Sequence, residues 1–247
     1  MKNSKKGDNM RLDKFITETL NVSRKDAKQI LKSKNILVDN AIITDGGYNL
    51  KKESIVLYNG KELIYKENIY LMMNKKKGYV SANQDKYHKT VFDLIDNKKY
   101  NINKLFTVGR LDIDTTGLLL ITSDGDFSHY LTSPKNNISK TYYVETDNSF
   151  PDNAIYELRE GIKLIDDDKK EYLSKPAKIE YIDEKKDKAY ITVTEGKFHE
   201  VKKLCGHFGL KVLNLHRISI GKVVLDKDLQ EGMIRELTEE EIEILKK

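Results

Sequence analysis

One segment of the chain joins a polar loop directly to an apolar run: Gly109-Arg110-Leu111-Asp112-Ile113-Asp114-Thr115-Thr116-Gly117-Leu118-Leu119-Leu120-Ile121. The consecutive apolar residues at its end predict a strand that is buried on both faces of a sheet. A carboxylate just before such a strand, here Asp112, is held on a rigid scaffold at the edge of a cleft, which favours catalysis. The pattern alone also permits a turn in which Asp112 and Asp114 cap backbone N–H groups.

Strands outnumber helices in the sequence on either side of this segment. Apolar residues alternate over 69–73 and 189–193, which is the spacing of strands with one buried face. Helical spacing is found over 154–160 and 198–208. Few helices among many strands predict an α+β fold, with a large domain over residues 69–247 built on a mixed, mainly antiparallel sheet.

The first 58 residues carry the chain's excess positive charge. Lys and Arg number 12 and Asp and Glu number 7 over 1–58, a net of +5 that equals the net charge of the whole chain. Apolar spacing predicts a helix over 12–20, Ser23 is placed to cap a second helix over 24–33, and Asp39-Asn40 is placed to turn a hairpin.

Two short helices followed by a strand pair predict a compact nucleic-acid module over residues 10–58. Lys25, Lys28 and Lys32 share one helix face, which is either a phosphate-binding surface or an ordinary solvated face. A DNA-binding helix-turn-helix fits less well, because a hairpin stands where its third helix would be.

Length and composition limit the remaining possibilities. The 247 residues are 38% hydrophobic and include one cysteine, which excludes an intramolecular disulfide. The longest apolar runs are far shorter than the roughly 20 residues that a membrane span needs. We therefore expect a cytoplasmic protein with no membrane partner. The polar segment 1–9 is predicted to be a flexible extension, and 59–68 a linker.

The sequence lacks the motifs that hold nucleotide cofactors and metals. It contains neither of the glycine-rich phosphate-binding motifs. A calcium loop beginning at Asp112 would have Ser123 in place of its final glutamate, and a magnesium pair at Asp124 and Asp126 fits a turn better. A zinc set fails because its spacing matches no known site type; its members would be His199, Cys205, His207 and His216. We therefore predict neither a cofactor nor a metal.

Two further segments carry candidate site residues. Lys140-Thr141-Tyr142 begins a strand, in which Tyr142 either stacks on a base in a cleft or packs in the core. The segment 195–203 turns from a strand into a helix, and Lys202 lies about 100° around that helix from the apolar Val201. That angle places Lys202 at the rim of the buried face, although a solvated lysine would have the same spacing.

Together these segments resemble the RsuA-type pseudouridine synthases, from about Met10 to Glu241. Residues 10–16 and 22–24 are similar to the start of an S4 RNA-binding domain. Gly109-Arg110-Leu111-Asp112 with Thr116-Gly117-Leu118-Leu119 is similar to the signature loop of the wider family. The other two motifs are matched by Lys140-Thr141-Tyr142 and by Glu195-Gly196-Lys197-Phe198-His199-Glu200-Val201-Lys202-Lys203, and the ending contains Leu215-His216-Arg217.

The resemblance implies an S4-like domain followed by a catalytic domain that isomerises a uridine in RNA without a cofactor. Asp112 takes the place of the catalytic aspartate, as nucleophile or as base. Tyr142 would contact the target uracil, and Arg110 would hold the flipped nucleotide or its phosphate. Lys202 would be the basic partner of Asp112; because many relatives carry arginine there, Lys203 is the alternative.

Within the family, the motifs around Asp112 and His216 look closest to the small-subunit enzyme. That likeness implies action at position 516 of 16S rRNA, in naked rRNA or in a partly assembled small subunit. We also expect a monomer. The alternatives are a 23S rRNA site and a non-catalytic RNA-binding ribosome assembly factor. The residues expected to bind RNA are Arg11, Lys14, Ser23, Arg24, Lys25 and Lys28.

Overall fold

The computed structural model describes residues 10–167 and 169–247, so the predicted extension over residues 1–9 lies outside the described residues. The chain forms two compact units. Among the described residues, the first comprises 10–67 together with Asp96–Asn101, and the second comprises Asn68–Ile95 and Ile102–Lys247. None of the helices formed by the described residues has the length and apolar character needed to cross a membrane.

The first unit consists of two helices and short strands around one apolar core. In chain order its elements are β1 (Met10–Arg11), α1 (Leu12–Leu20), α2 (Arg24–Lys32), β2 (Ile36–Val38), β3 (Ala41–Ile42), β4 (Asn49–Leu50), β5 (Val56–Tyr58) and β6 (Lys61–Glu62). One sheet has the order β3-β2-β5-β6, and β1 pairs with β4. Helix and strand residues share the core: Leu12, Phe15, Ile16, Ala27, Leu31, Ile36, Val38, Leu50 and Val56.

Local signals account for these elements. The Ser23 hydroxyl accepts a hydrogen bond from the Asp26 backbone N–H at 3.2 Å and caps α2. Asp39 and Asn40 both adopt positive φ, as a tight two-residue hairpin turn requires. Residues 59–67 of the predicted linker instead belong to this unit, in which β6 pairs with β5 and Leu63 packs against the core.

The second unit is built on one large sheet. Its strands are β7 (Tyr70–Lys75), β8 (Phe106–Thr107), β9 (Thr116–Thr122), β10 (Lys140–Thr146), β11 (Lys163–Ile165), β12 (Glu171–Leu173), β13 (Lys178–Tyr181), β14 (Lys188–Val193), β15 (Val212–Ile220), β16 (Val223–Val224) and β17 (Ile234–Glu236). Its helices are α3 (Gly125–Thr132), α4 (Ala154–Glu160), α5 (Glu200–His207) and α6 (Glu239–Lys246), with short 3-10 turns at Val91–Leu94, Ile102–Lys104 and Pro134–Asn136. The sheet order is β13-β14-β10-β15-β9-β7-β17, with β16 on β15 and β8 on β9.

This architecture confirms the predicted α+β class and the mixed, mainly antiparallel sheet. Among the described pairs of this sheet, only β9 and β15 are parallel. β9 is buried along its whole length between β7 and β15, as the apolar run predicts. α4 has its predicted bounds, whereas α5 begins at Glu200 rather than at 198, because His199 adopts a left-handed φ of 54°.

The parallel pairing of β9 with β15 requires glycine at position 117. Gly117 pairs with Arg217 and has a φ of +97°. A Cβ at this position would lie 2.7 Å from the Arg217 backbone nitrogen and closer still to its carbonyl oxygen. Glycine satisfies both demands because it has no Cβ and tolerates positive φ. The start of β9, and with it the Asp112 loop, is therefore held against β15 by direct backbone contact.

Replacing this glycine should destabilise the fold. Gly117→Ala is expected to lower the free energy of unfolding by at least about 2 kcal/mol, since backbone strain alone costs about 1–3 kcal/mol and the steric clash adds to it. Urea denaturation measures the change. Gly125→Ala is the matched control, because an added Cβ there would have no contact within 4 Å. It should change stability by less than about 0.5 kcal/mol. Similar losses in the two variants would contradict the role given to Gly117.

Candidate active site

Most of the lining of one cavity in the second unit comes from three segments: the loop before β9, the start of β10, and α5 with the residues that precede it. β15 and the end of α3 complete the lining. The predicted residues Arg110, Asp112 and Tyr142 all line the cavity. The other lining residues include Lys140, Lys197, His199, Glu200, Val201, Leu215 and Arg217. The structure therefore brings together motifs that lie about 30 to 100 residues apart in sequence.

The Asp112 carboxylate faces two basic side chains from the segment that contains α5. Lys202 Nζ lies 3.0 Å from Asp112 Oδ2, and His199 Nε2 lies 3.4 Å from Asp112 Oδ1. Lys202 Nζ also donates to Asp114 Oδ1 at 2.7 Å. The carboxylate of Asp112 thus contacts basic side chains, and among the described residues it accepts no hydrogen bond from a backbone N–H, the alternative that its loop position also permits.

Burial and charge act on these groups in opposite directions. Partial burial has the strongest single effect on Lys202 and favours a lower pKa, but hydrogen bonds to Asp114 and Asp112 outweigh it and raise the pKa above its ordinary value. Burial of Asp114 likewise favours a higher pKa, but the hydrogen bond and charge of Lys202 lower it overall. Lys202 is therefore held as a cation beside both carboxylates.

A buried lysine that sequence reasoning missed holds the backbone of the Asp112 loop. Lys75 Nζ, at the end of β7, donates hydrogen bonds to the carbonyl oxygens of Asp112 at 2.9 Å and of Thr115 at 2.8 Å. The side chain is fully buried. Burial lowers the pKa of Lys75 from 10.5 to about 8, although the carboxylates of Asp114 and Asp112 oppose the shift. Because two further lysines follow it in sequence, nothing marked this one as buried.

Tyr142 and Arg217 are neighbours in the wall of the cavity. Tyr142 on β10 is the register partner of Arg217 on β15. The Arg217 guanidinium carbon lies 5.9 Å from the centroid of the Tyr142 ring, and Nη1 lies 3.5 Å from the Tyr142 hydroxyl. Tyr142 is 9% exposed, so it is mostly buried yet still contributes to the cavity surface. Arg217 was not among the predicted site residues, although it ends the Leu215-His216-Arg217 segment.

A buried lysine and a buried glutamate also line the cavity. Lys140 Nζ donates to the carbonyl oxygens of Ile138 at 3.1 Å and of Glu195 at 3.2 Å, and burial lowers the pKa of Lys140 to about 8. Burial, together with the neighbouring Glu195 carboxylate, raises the pKa of Glu200. Both residues belong to motifs that carry the family resemblance, but neither was among the predicted site residues.

The remaining predicted residues of this site occupy different positions. Arg110 is exposed where it lines the cavity. Lys203, the alternative partner for Asp112, has its Nζ 5.8 Å from the Phe198 ring centroid. The structure therefore places Lys202, not Lys203, against the carboxylate. No group of three or more His, Cys, Asp or Glu residues in the described ranges is arranged to hold a metal ion.

The first unit carries a separate basic groove between its two helices and the loop before β4. Four of the six predicted RNA-binding residues line it: Arg11, Lys14, Arg24 and Lys28, joined by Lys32. Ser23 and Lys25 are not in its lining. The Ser23 hydroxyl caps α2 and also donates to Asp26 Oδ2 at 2.6 Å.

Arg11 already has an anionic partner within the groove. Its Nη2 lies 2.6 Å from Asp13 Oδ2, and the hydrogen bond from Arg11 lowers the pKa of Asp13. Of the lining cations, Arg24, Lys28 and Lys32 follow one another at four-residue intervals along α2, so they form one stripe of charge.

Comparison with protein families accounts for both units. The family model described as RNA pseudouridylate synthase matches residues 69–207, more than half of the chain. The chain belongs to this family. A model of the S4 domain matches residues 10–56 of the same synthase. The chain is thus an RNA pseudouridine synthase, an isomerase with an N-terminal S4 domain, as the sequence motifs predict.

Close relatives match most of the length of the synthase. It is 41% identical over 233 residues to a Vibrio cholerae protein named ribosomal small subunit pseudouridine synthase A, covering 94% of this chain and 98% of the relative. The Escherichia coli protein of that name is 39% identical over 234 residues, with 94% and 98% coverage. A solved structure described as a pseudouridylate synthase is 37% identical, has a TM-score of 0.67, and is matched over 96% of this chain and 99% of its own.

The buried Lys75 should make the stability of the synthase depend on pH. Between about pH 8 and 10.5 the folded protein has released a proton that the unfolded chain retains, so stability rises with pH. The free energy of unfolding of the wild type relative to Lys75→Met should therefore increase over this window, by up to about 3 kcal/mol.

Urea denaturation at several pH values measures this difference. Lys76→Met is the matched control, because Lys76 is adjacent in sequence and exposed; its difference from the wild type should stay constant. A pH-independent difference for Lys75→Met as well would show that the buried amine does not titrate in this range.

Proposed function

We propose that this synthase converts a uridine of small-subunit ribosomal RNA to pseudouridine, with position 516 of 16S rRNA as the target and Asp112 as the catalytic carboxylate. The observation that carries the catalytic assignment is the 3.0 Å contact of Lys202 with Asp112, a carboxylate that lines the same cavity as Tyr142. The choice of rRNA is supported by the full-length relatives named ribosomal small subunit pseudouridine synthase A.

The reaction moves the uracil on its ribose without oxidation or hydrolysis. The bond from ribose C1′ to base N1 breaks, the uracil turns, and C5 bonds to C1′. Whether Asp112 acts as a nucleophile or as a base, its carboxylate must be ionised. Burial disfavours the ionised form, and an adjacent cation restores it. Lys202 Nζ supplies that cation at 3.0 Å from Asp112.

Tyr142 and Arg110 bind different parts of the target nucleotide. The uridine must leave its stack to reach Asp112, which costs a few kcal/mol. Tyr142 packs against the uracil, and Arg110 contacts the nucleotide or its phosphate at the exposed edge of the cavity. Phosphate contacts in the basic groove of the S4 domain offset the cost, since backbone charge dominates the affinity of RNA-binding proteins.

Removing the Asp112 carboxylate tests the catalytic assignment. Asp112→Asn should reduce the rate of pseudouridine formation at least about 10²-fold, because the amide is neither a nucleophile nor a base at neutral pH. The measurement is site-resolved mapping of pseudouridine in 16S and 23S rRNA from cells that lack the gene and are complemented with each variant. Asp126→Asn, an exposed carboxylate in the first turn of α3, is the control and should restore modification fully.

The same map tests the substrate. Pseudouridine restored only at position 516 of 16S rRNA is the expected result. Restoration in 23S rRNA would replace the small-subunit assignment, and modification that depends on neither Asp112 nor the gene would leave only an RNA-binding role. Near wild-type activity of Asp112→Asn would refute the catalytic assignment itself.

The groove of the S4 domain should make RNA affinity depend strongly on salt. Arg24→Ala/Lys28→Ala is expected to reduce the slope of log Kd against log salt by about 1.4, or about 0.7 for each lost phosphate contact to single-stranded RNA. Binding of a 16S rRNA transcript at several salt concentrations measures the slope. Lys51→Ala/Lys52→Ala removes the same charge from exposed residues outside the groove lining and should leave the slope nearly unchanged. Equal effects of the two pairs would exclude the groove as the binding surface.

A further inference from the structure

The Arg217 guanidinium is a buried cation with an unused donor in the wall of the cavity. Arg217 is 2% exposed and lines the same cavity as Asp112 and Tyr142. Its Nε donates to the Leu118 carbonyl oxygen at 2.7 Å, which orients the guanidinium plane. Its Nη2 is buried and has no hydrogen-bond partner among the described residues.

Such an arrangement is costly for the folded protein. The groups that Arg217 does contact, the Leu118 carbonyl and the Tyr142 hydroxyl, are both neutral. A buried charge whose N–H groups lack acceptors loses its hydration without compensation. Unsatisfied buried donors are rare in folded proteins and call for a specific explanation. In the wall of a substrate cavity, an acceptor brought by the substrate provides one.

We propose that Arg217 recognises the uracil of the target uridine, with Nη2 donating to one of its carbonyl oxygens and the cation stabilising the negative charge that the ring acquires during the reaction. The inference rests on the proposed function, since it requires the uracil to occupy the cavity beside Asp112 and Tyr142. It assigns Arg217 a part in the chemistry that neither Lys202 nor Tyr142 supplies.

The charge on the ring arises when the bond between C1′ and N1 breaks. The electron pair of that bond stays with the uracil, whose negative charge is shared among N1 and the two carbonyl oxygens, while Asp112 bonds to C1′ or takes a proton from the sugar. C5 then bonds to C1′ and Asp112 returns to its starting state. C5 loses its proton and N1 gains one, so the product is an isomer. A fixed donor at a carbonyl oxygen binds this anion more strongly than the neutral base and so accelerates the step.

The surroundings of Arg217 favour a base over a phosphate as the acceptor. The guanidinium carbon lies 5.9 Å from the Tyr142 ring centroid, and Leu215 lines the same wall. A base packed on Tyr142 would present its carbonyl oxygens at the edge of the base, beside the neighbouring guanidinium. Phosphates remain with the ribose chain at the exposed side of the cavity, where Arg110 lies.

Substitution of Arg217 should affect the chemical step more than RNA binding. Arg217→Met is expected to lower the single-turnover rate constant on the mapped rRNA substrate about 10²–10³-fold, the usual loss when one charge-stabilising donor is removed. The Kd for the same RNA should change less than about threefold. Arg217→Lys should recover part of the rate, because it keeps the charge and loses the planar fork. A purely structural role predicts instead a lower melting temperature, weaker RNA binding and no recovery by lysine.

Arg235→Met is the matched control for removing an arginine from the same sheet. Arg235 on β17 pairs with Asp226 and Glu241, each at 2.7 Å, and does not line the cavity. This variant should lose stability yet keep the wild-type rate constant below its melting temperature. A rate constant within threefold of wild type for folded Arg217→Met would overturn the proposal.

Thio-substituted substrates identify the oxygen that Arg217 contacts. Sulfur is a poor hydrogen-bond acceptor, so 2-thiouridine or 4-thiouridine at the target should slow the wild type relative to uridine more than it slows Arg217→Met. If the ratio of the rate on thiouridine to the rate on uridine is the same for the wild type and Arg217→Met at both positions, Arg217 makes no direct hydrogen bond to the base. Should both Arg217 variants fail to fold, a structure of the wild type with uridine-containing RNA in the cavity decides; an Nη2 more than 3.5 Å from both carbonyl oxygens refutes the contact.

Asp112→Asn, assayed in parallel, separates this proposal from the proposed function. If Asp112→Asn is active, the catalytic assignment fails and the Arg217 proposal fails with it. If Asp112→Asn is inactive while Arg217→Met retains the wild-type rate, only the role of Arg217 is wrong.

Discussion

The contact between the backbones of Gly117 and Arg217 is the constraint on which the rest of the site depends. It allows β9 and β15 to run parallel within an otherwise antiparallel sheet, with no room for a side chain between them. β15 lies between β9, which begins just after the Asp112 loop, and β10, which contains Tyr142. Sheet register fixes Tyr142 and the start of β9 against Arg217, and the Asp112 loop leads directly into that start. Register is more rigid than loop packing.

The fold places three cations around the Asp112 loop and stabilises each one differently. Lys202 is paired with carboxylates, Lys75 is solvated by backbone carbonyl oxygens, and Arg217 contacts one carbonyl and one hydroxyl. The number of polar partners that each cation has matches the role proposed for it. Lys202 contacts two carboxylates and Lys75 donates to backbone carbonyl oxygens of the Asp112 loop, whereas Arg217 has a buried Nη2 with no partner among the described residues, the donor proposed for the substrate.

Features governed by short-range physics could be predicted from sequence. A run of apolar residues predicts that β9 is buried, and Ser23 predicts the start of α2. The angle between Val201 and Lys202 places Lys202 at the rim of the buried face of α5, where it contacts Asp112. The burial of Lys75 and Arg217 could not be predicted, because a basic side chain becomes buried only when distant segments cover it. Lys25 and Lys28 show the same limit: both lie on α2, yet only the rest of the unit determines that the groove runs past Lys28.

The segment Asp96–Asn101 belongs to the first unit although it is surrounded in sequence by the second. It is tied there in part by Asn21, whose Nδ2 donates to the Asn97 carbonyl oxygen at 2.6 Å. The RNA-binding unit is therefore not formed by one continuous stretch of sequence that ends at Glu67. A domain swap that exchanged only the residues up to Glu67 would leave the original Asp96–Asn101 segment in place. A replacement S4 domain must therefore be compatible with that segment.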